Sequence, residues 1–361
     1  MTELFSADVY LTRMTRAAAL AEGRGIAALV FGTGTDFEYL LGSKISSHER
    51  LTALVLRPGH KPLLVVPAVE RSDVPDLDVD MHFWRDGQNP HQIVADLIPA
   101  NATVGFGGSL TADHLLPILE LTGARPVLAT ESLKEQFMRK DTEEIAQLRL
   151  AGAAIDRVHA AVPDLLAPGR TEEEVAHELR TLILKEHASV DFIIVGSGPN
   201  GANPHHDYSD RVIHNGDVVV VDIGGTLPSG YHSDCTRTYV MGENEKAQML
   251  YDVLRTAQET AVRAVKPGVK AKDIDAITRE IIIANGYEDL IMHRTGHGIG
   301  LSLHEEPFIM EGNDLVLEEG MTFSVEPGLY LEGEIGMRLE DIVTVTADGV
   351  ETLNNADRSL R

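Results

Sequence analysis

Four carboxylates lie where a carboxylate is costly. Asp222 follows four consecutive valines (218–221) and precedes Ile223-Gly224-Gly225. Asp234, Glu326 and Glu340 likewise fall in strand-like runs, over 233–239, 320–326 and 337–345. An ionised carboxylate inside an apolar strand needs a compensating partner. If the four meet, two unit charges about 4 Å apart repel by roughly 4 kcal/mol at an effective dielectric near 20. Either the pKa values rise or cations fill the site. Two divalent ions balance four negative charges, and the oxygen-rich set favours a paired site for Mn, Co, Fe or Zn over a structural zinc site.

A nitrogen ligand is also at hand. His297 sits in Gly296-His297-Gly298-Ile299-Gly300, with His293 before it and His304 after it. The glycines allow close backbone approach. His205 and His206, beside Pro204, form a further pair upstream of Asp222. The single cysteine, Cys235, lies one position from Asp234. The two-residue strand period puts Asp234, Thr236 and Thr238 on one face and Cys235 with Arg237 on the other, so Cys235 packs and does not ligate. One cysteine also excludes a disulfide framework and any multi-cysteine zinc site.

The elements that must carry these residues form a weak repeat. Pro168-Gly169 precedes Thr171-Glu172-Glu173-Glu174 and a helix through Val175, Leu179 and Leu182. Ninety-nine residues later Pro267-Gly268 precedes a helix through Ile274, Ile277 and Ile281, stopped by Gly286. Each unit then has a strand with a carboxylate six residues after a glycine, Gly216 to Asp222 and Gly320 to Glu326, answered by a second strand bearing Asp234 or Glu340. Such a duplication predicts two hairpins facing each other about a pseudo-two-fold axis. Asp141 and Glu144 have capping-box spacing and open a helix with Ile145, Leu148, Gly152, Ile155 and Val158 on one face. Upstream, strands at 26–31, 51–57, 62–66, 79–84 and 103–106 alternate with helices near 8–22, 91–98 and 111–121, an α/β pattern with a mixed sheet. The predicted domains are therefore 1–137 and 138–361.

Three local patterns have ordinary readings. Gly32-Thr33-Gly34-Thr35 lacks the Lys-Ser/Thr ending of a phosphate loop and reads as a turn. Gly196-Ser197-Gly198-Pro199-Asn200-Gly201 fits a dinucleotide fingerprint, but Asn203-Pro204 breaks any helix after it; it reads as a loop delivering His205. The acidic run 172–174 reads as helix N-terminal charge on a solvated face.

Composition narrows the partners. Lys+Arg is 31 against 56 Asp+Glu, a formal charge of −25, which disfavours nucleic acid and anionic membrane surfaces. The apolar runs are too short to span a bilayer, and the first 25 residues carry no apolar signal core, so the expected location is the cytoplasm.

Taken together, Asp222-Ile-Gly-Gly, Ser233-Asp234-Cys-Thr-Arg-Thr238, Thr295-Gly-His297-Gly-Ile-Gly300, His304-Glu-Glu-Pro307, Val325-Glu326-Pro-Gly328 and Arg338-Leu-Glu340-Asp341 resemble, in order and nearly in spacing, the pita-bread metallopeptidases that cleave Xaa-Pro bonds: prolidases and aminopeptidase P. The resemblance covers roughly 138–356, and the first third is similar to the family's creatinase-type domain in architecture. It implies an α/β creatinase-like N-terminal domain followed by an α+β pita-bread catalytic domain. It implies Asp222, Asp234, His297, Glu326 and Glu340 as ligands of two divalent ions, Mn2+ first, with Co2+ or Zn2+ as alternatives. It further implies His205 (or its neighbour His206), His293 and His304 as active-site histidines and Glu326 as proton shuttle. Arg338 is expected to hold the ligand carboxylates and His293 to line a pocket for the proline ring. The hairpin between Asp222 and Asp234 is one residue longer than usual; within a strand, that residue would turn Asp234 away from the site. The implied activity is metal-assisted hydrolysis of short proline-containing peptides by a homodimer, with similarity to bacterial prolidases favouring the Xaa-Pro dipeptidase. The alternatives are an Xaa-Pro aminopeptidase on longer peptides, a metal-free creatinase-like amidinohydrolase, a non-catalytic peptide-binding homologue and a methionine aminopeptidase. The complete ligand set counts against the metal-free and non-catalytic readings, and the added N-terminal domain against the last.

Overall fold

The alternating apolar runs of the first third form a six-stranded mixed sheet. In the computed structural model, which describes residues 5–46 and 48–361, contacts divide the chain into Met1–Phe137 and Met138–Arg361. The first unit contains strands β1 (Ala28–Gly32), β2 (Ala53–Leu56), β3 (Leu63–Pro67), β4 (Asp80–Trp84), β5 (Thr103–Phe106) and β6 (Arg125–Leu128) in the order β4-β3-β2-β1-β5-β6. The pairs β1–β2 and β2–β3 are antiparallel; β3–β4, β1–β5 and β5–β6 are parallel. Helices α1 (Ala7–Gly23), α2 (Thr35–Leu41), α3 (Pro90–Ala95), α4 (Ala112–Thr122) and α5 (Thr130–Met138) accompany it. Central β1 is buried along its whole length, which explains its unbroken apolar run.

Three elements here were not anticipated: α2, α5 and β6. The segment after Gly32 does turn, but Gly34, at φ 147°, opens the seven-residue α2, too short to show a helical period. Strand β6 is an exposed edge containing Pro126, so it lacks both burial and alternation.

In the second unit, α6 (Thr142–Leu165) begins with the expected capping box: Glu144 N donates to Asp141 Oδ1 (2.8 Å) and Asp141 N to Glu144 Oε2 (3.1 Å). Helix α7 (Glu172–Glu186) leads into an antiparallel sheet of β7 (Ser189–Ser197), β8 (Val218–Thr226) and β9 (His232–Val240). Helices α8 (Glu245–Ala264) and α9 (Ala271–Ala284) precede β10 (Gly296–Gly298), β11 (Glu305–Ile309), β12 (Thr322–Val325), β13 (Gly328–Leu331), β14 (Ile335–Arg338), β15 (Asp341–Val345) and β16 (Val350–Thr352). These form the sheet β11-β10-β12-β15-β16 and the pair β13-β14. Val219, Val221, Ile223 and Cys235 share a core with Ile155 and Val158 of α6 and Leu179 and Ile183 of α7. The opposite face of β8 and β9 is thereby left to Asp222 and Asp234.

The repeat is visible in backbone hydrogen bonds. Gly169 N donates to Ile213 O, Glu172 N to Arg211 O and Glu173 N to Ser209 O. At the equivalent places Gly268 N donates to Leu317 O, Ala271 N to Leu315 O and Lys272 N to Asn313 O. Isolated bridges Thr171–Val212 and Lys270–Val316 fall in the same register. The halves differ in one respect. Asp222 and Asp234 lie within continuous strands, whereas Glu326-Pro327 separates β12 from β13 and Leu339-Glu340 separates β14 from β15. Pro327 has no N–H to give a ladder. The expected second hairpin is therefore broken at both of its acids.

Candidate metal centre

The β8–β9 hairpin sets the first two carboxylates. Its register pairs Asp222 with Thr236, Ile223 with Cys235 and Gly224 with Asp234 without a slip, so Asp222 and Asp234 are diagonal neighbours on one face. The ladder runs unbroken to its last pair, Thr226–His232, with the turn 227–231 beyond it, so Asp234 keeps its expected facing. Opposite Asp234 only glycine fits: a Cβ on Gly224 would lie 2.4 Å from Phe192 Cε1 and 2.7 Å from Ser233 O.

His297 on β10 is held at both ends of its residue. Its N–H donates to Ser324 Oγ (2.9 Å), and ring Nδ1 lies 3.0 Å from Gly298 O. A carbonyl only accepts, so Nδ1 carries the proton and Nε2 presents a lone pair. Burial pulls His297 down to about 4, so the ring is neutral at pH 7. Nε2 faces Glu326 Oε1 at 3.3 Å and Asp234 Oδ2 at 3.7 Å. Glu326 Oε1 accepts from Ser324 Oγ (2.9 Å).

Glu340 enters from the break between β14 and β15. Its N–H donates to Thr236 O (3.2 Å) and its Oε2 accepts from Thr236 Oγ1 (2.9 Å). Its Oε1 and Asp222 Oδ1 are both buried with no hydrogen-bond partner among the described residues. Three overlapping groups each have donor atoms within 4.8 Å of one another: Asp234, His297, His304; His297, Glu326, Glu340; and Asp222, Asp234, Glu340. Together they include all five expected ligands and add His304. Burial, reinforced by the other carboxylates, pushes Asp234 and Glu340 well above the usual carboxylate range. Orphaned buried oxygens, a neutral imidazole lone pair and mutually repelling acids fit divalent cations.

The surrounding residues sort by contact. Arg338 donates from Nη2 to Asp222 Oδ2 (2.5 Å), from Nε to Thr236 Oγ1 (3.1 Å) and from Nη1 to Tyr330 OH (2.7 Å). It steadies Asp222, across the site from its own strand. His293 Nδ1 donates to Arg294 O (2.6 Å), so its Nε2 accepts from Tyr330 OH (2.9 Å). Both nitrogens are engaged, and the ring is a fixed wall. The His304 ring stands edge-on to His297, 4.1 Å between centroids, and partial burial beside that neighbour pulls it down to about 4.

Of the two adjacent histidines, His205 lines the cleft, whereas His206 Nε2 bonds Glu172 Oε2 (2.8 Å). Glu172 corrects a sequence expectation. Glu173 and Glu174 are exposed, but Glu172 is fully buried. It accepts from Ser197 N (2.7 Å) and Oγ (2.6 Å), Ser209 N (3.0 Å) and Oγ (2.7 Å) and Asn200 Nδ2 (3.1 Å). Burial alone would raise its pKa; the bonds from Ser197, His206 and Ser209 outweigh it and hold the carboxyl below its ordinary value. The glycine-rich segment ends in a short 3-10 turn, Gly198–Ala202, with no helix after it. A Cβ on Gly336 would run into the Gly201 carbonyl, and one on Gly201 would lie 2.9 Å from Gly196 O. Tyr330, Glu172 and Ser324 were not anticipated; a strand hydroxyl and one acid among three give no spacing signal.

Asp222, Asp234, His297 and Glu326 face a cleft of about 680 Å³, with Phe192, Ile194 and Leu303 supplying apolar wall and His205, His293, Arg294, His304 and Arg338 polar wall. A carboxylate–histidine cluster under an open cleft, in a duplicated α+β unit, is the equipment of a metal-dependent hydrolase. The chain belongs to metallopeptidase family M24, whose model matches residues 146–347, and the Creatinase/Prolidase N-terminal domain matches residues 13–149. It is 48% identical to the probable dipeptidase PepE of Mycobacterium tuberculosis over 99% of this chain and 97% of that one. An Xaa-Pro dipeptidase of Lactobacillus helveticus is 34% identical, covering 90% and 91%. The crystal structure of dipeptidase PepE from Mycobacterium ulcerans superposes with a TM-score of 0.95 at 48% identity, covering 99% and 98%. No helix among the described residues is long and apolar enough to cross a membrane.

Proposed function

We propose that this chain is a dinuclear-metal Xaa-Pro dipeptidase. Asp222, Asp234, His297, Glu326 and Glu340 would hold the two ions, with Mn2+ the first choice and Co2+ or Zn2+ the alternatives. When bound, such ions supply Lewis acidity and lower the pKa of water towards neutrality. The observation that carries the reading is the convergence of these five side chains, with Asp222 Oδ1 and Glu340 Oε1 buried and unpartnered.

The protein's own groups then have distinct tasks. Glu326 takes a proton from the attacking water and passes it to the imino nitrogen of the departing proline. His205 and His304 donate hydrogen bonds to the carbonyl oxygen of the Xaa residue as charge grows on it. Arg338 keeps Asp222 oriented. His293, fixed by Tyr330 and the Arg294 carbonyl, bounds the space for the proline ring. Proline's tertiary amide and fixed φ fit general peptidases poorly, which gives a dedicated site its purpose. The names of the relatives support a dipeptide substrate.

A panel of Ala-Pro, Ala-Pro-Ala and Ala-Ala, assayed with Mn2+-loaded enzyme, tests this. The expected order is Ala-Pro well above the other two. Preferred cleavage of Ala-Pro-Ala would make it an aminopeptidase, and equal cleavage of Ala-Ala would remove the proline requirement.

A further inference from the structure

Next to His304 in the chain lies a buried ion pair with no part in the proposed chemistry. Lys140 Nζ donates to Glu305 Oε1, and the two side chains are only 2% and 6% exposed. Lys140 stands on a fixed base: its N–H donates to Gly320 O (2.9 Å), and its neighbour Arg139 bridges Met321, just ahead of β12. Burial raises the Glu305 carboxyl above its ordinary value, and Lys140 opposes that shift. Through its other oxygen Glu305 accepts from Ser302 N (3.3 Å). The segment 300–304 is folded directly over the pair: a Cβ on Gly300 would lie 2.7 Å from Lys140 Nζ and 2.9 Å from Glu305 Oε1. The start of this segment is held from β9, where His232 N donates to Gly300 O (3.0 Å) and His232 Nε2 lies 3.2 Å from Leu301 O. Its end delivers Leu303 and His304 to the cleft.

We infer that Lys140 is a positioning residue for the reaction: its ion pair with Glu305 fixes the segment 300–304 and thereby places the His304 ring beside His297. The inference rests on the proposed part of His304 in donating to the substrate carbonyl. Lys140 itself does not line the cleft, so its effect reaches the reaction through the segment it holds. A buried charge left without its partner is costly, so the pair favours the one placement of Glu305 that keeps both charges answered. A donor moved by about 1 Å from the growing charge can cost about a hundredfold in rate. The interaction strengthens only as that charge develops, so its loss lowers kcat and spares KM.

The test is a double-mutant cycle on the Mn2+-loaded enzyme with Ala-Pro. Lys140→Met alone strands a buried carboxylate, so the cycle uses Lys140→Met/Glu305→Gln, which removes both charges and keeps an acceptor for Ser302 N. This variant is expected to lower kcat about tenfold to a hundredfold with KM within about twofold, and His304→Ala to lower kcat about a hundredfold. Glu305→Gln alone keeps an acceptor for Lys140 and should show a smaller loss in the same direction. Combined with His304→Ala, the charge-free variant should be no slower than His304→Ala by itself, with metal content equal to wild type throughout. Losses that multiply, an unchanged kcat, or a fall explained by missing metal would overturn the assignment. Imidazole NMR of the chelated proteins reads the placement without turnover: the His304 resonances should shift and broaden in the charge-free variant while those of His293 hold. An unmoved His304 signal would equally overturn it. If wild type does not cleave Ala-Pro, the proposed activity fails, and the NMR comparison still decides whether Lys140 places His304.

Discussion

Asp234 and Glu340 carry most of the electrostatic strain of the centre. Burial first, and neighbouring acids second, raise both pKa values above those of the unfolded chain. A group raised in this way stabilises the fold at pH below its unfolded value near 4, and that contribution is lost as pH rises through the folded pKa. Divalent ions remove the loss by pairing with the ionised forms. The melting temperature of chelated protein should therefore fall relative to Mn2+-loaded protein as pH rises from about 5 to 8, and loading should release protons. Thermal scans across that range, and calorimetry in two buffers of different ionisation enthalpy, check this; a gap that narrows with rising pH would contradict it. These acids were legible because each falls in a strand-like run, where an unpaired carboxylate is expensive. Glu172 was not, because Glu173 and Glu174 are chemically identical to it. Ser197, Asn200, His206 and Ser209, brought from distant sequence, distinguish it.

At the level of elements, each half uses a buried acid near the start of its second helix to fasten the segment that carries site residues. Glu172 in the first turn of α7 gathers Ser197, Asn200, His206 and Ser209, and so fixes the segment bearing His205. Asp275 in α9 accepts from Thr295 N (3.0 Å), two residues before His297, while its other oxygen pairs with Arg279 (2.6 Å). Glu172→Ala would leave several buried donors without an acceptor and should cost about 3–5 kcal/mol, with Glu172→Gln recovering part. Urea unfolding measures the loss, and hydrogen exchange should rise first over 197–209. A change under about 1 kcal/mol would mean the network is dispensable. The repeat was legible from its Pro-Gly turns and its glycine-to-acid spacing. The breaks at Glu326-Pro327 and Leu339-Glu340 were not, since an apolar run reads the same whether or not the strand continues through it.

At the scale of the whole molecule, the five longest strand signals of the first unit read directly, because β1, β2, β3 and β5 bury continuous apolar runs and β4 ends on the buried Trp84. Edge strand β6 and the short helix α2 escaped because neither buries a periodic face long enough to register. In the second unit, residues more than a hundred positions apart meet at one floor: Thr236 bonds Glu340, and Arg338 bonds Asp222. The most direct measurement is a titration of chelated protein with Mn2+, following Ala-Pro hydrolysis against metal added per chain. The account predicts no hydrolysis in the stripped protein and a rise that levels off at about two equivalents, the number that balances four carboxylates. Full hydrolysis by stripped protein in the presence of chelator would contradict it.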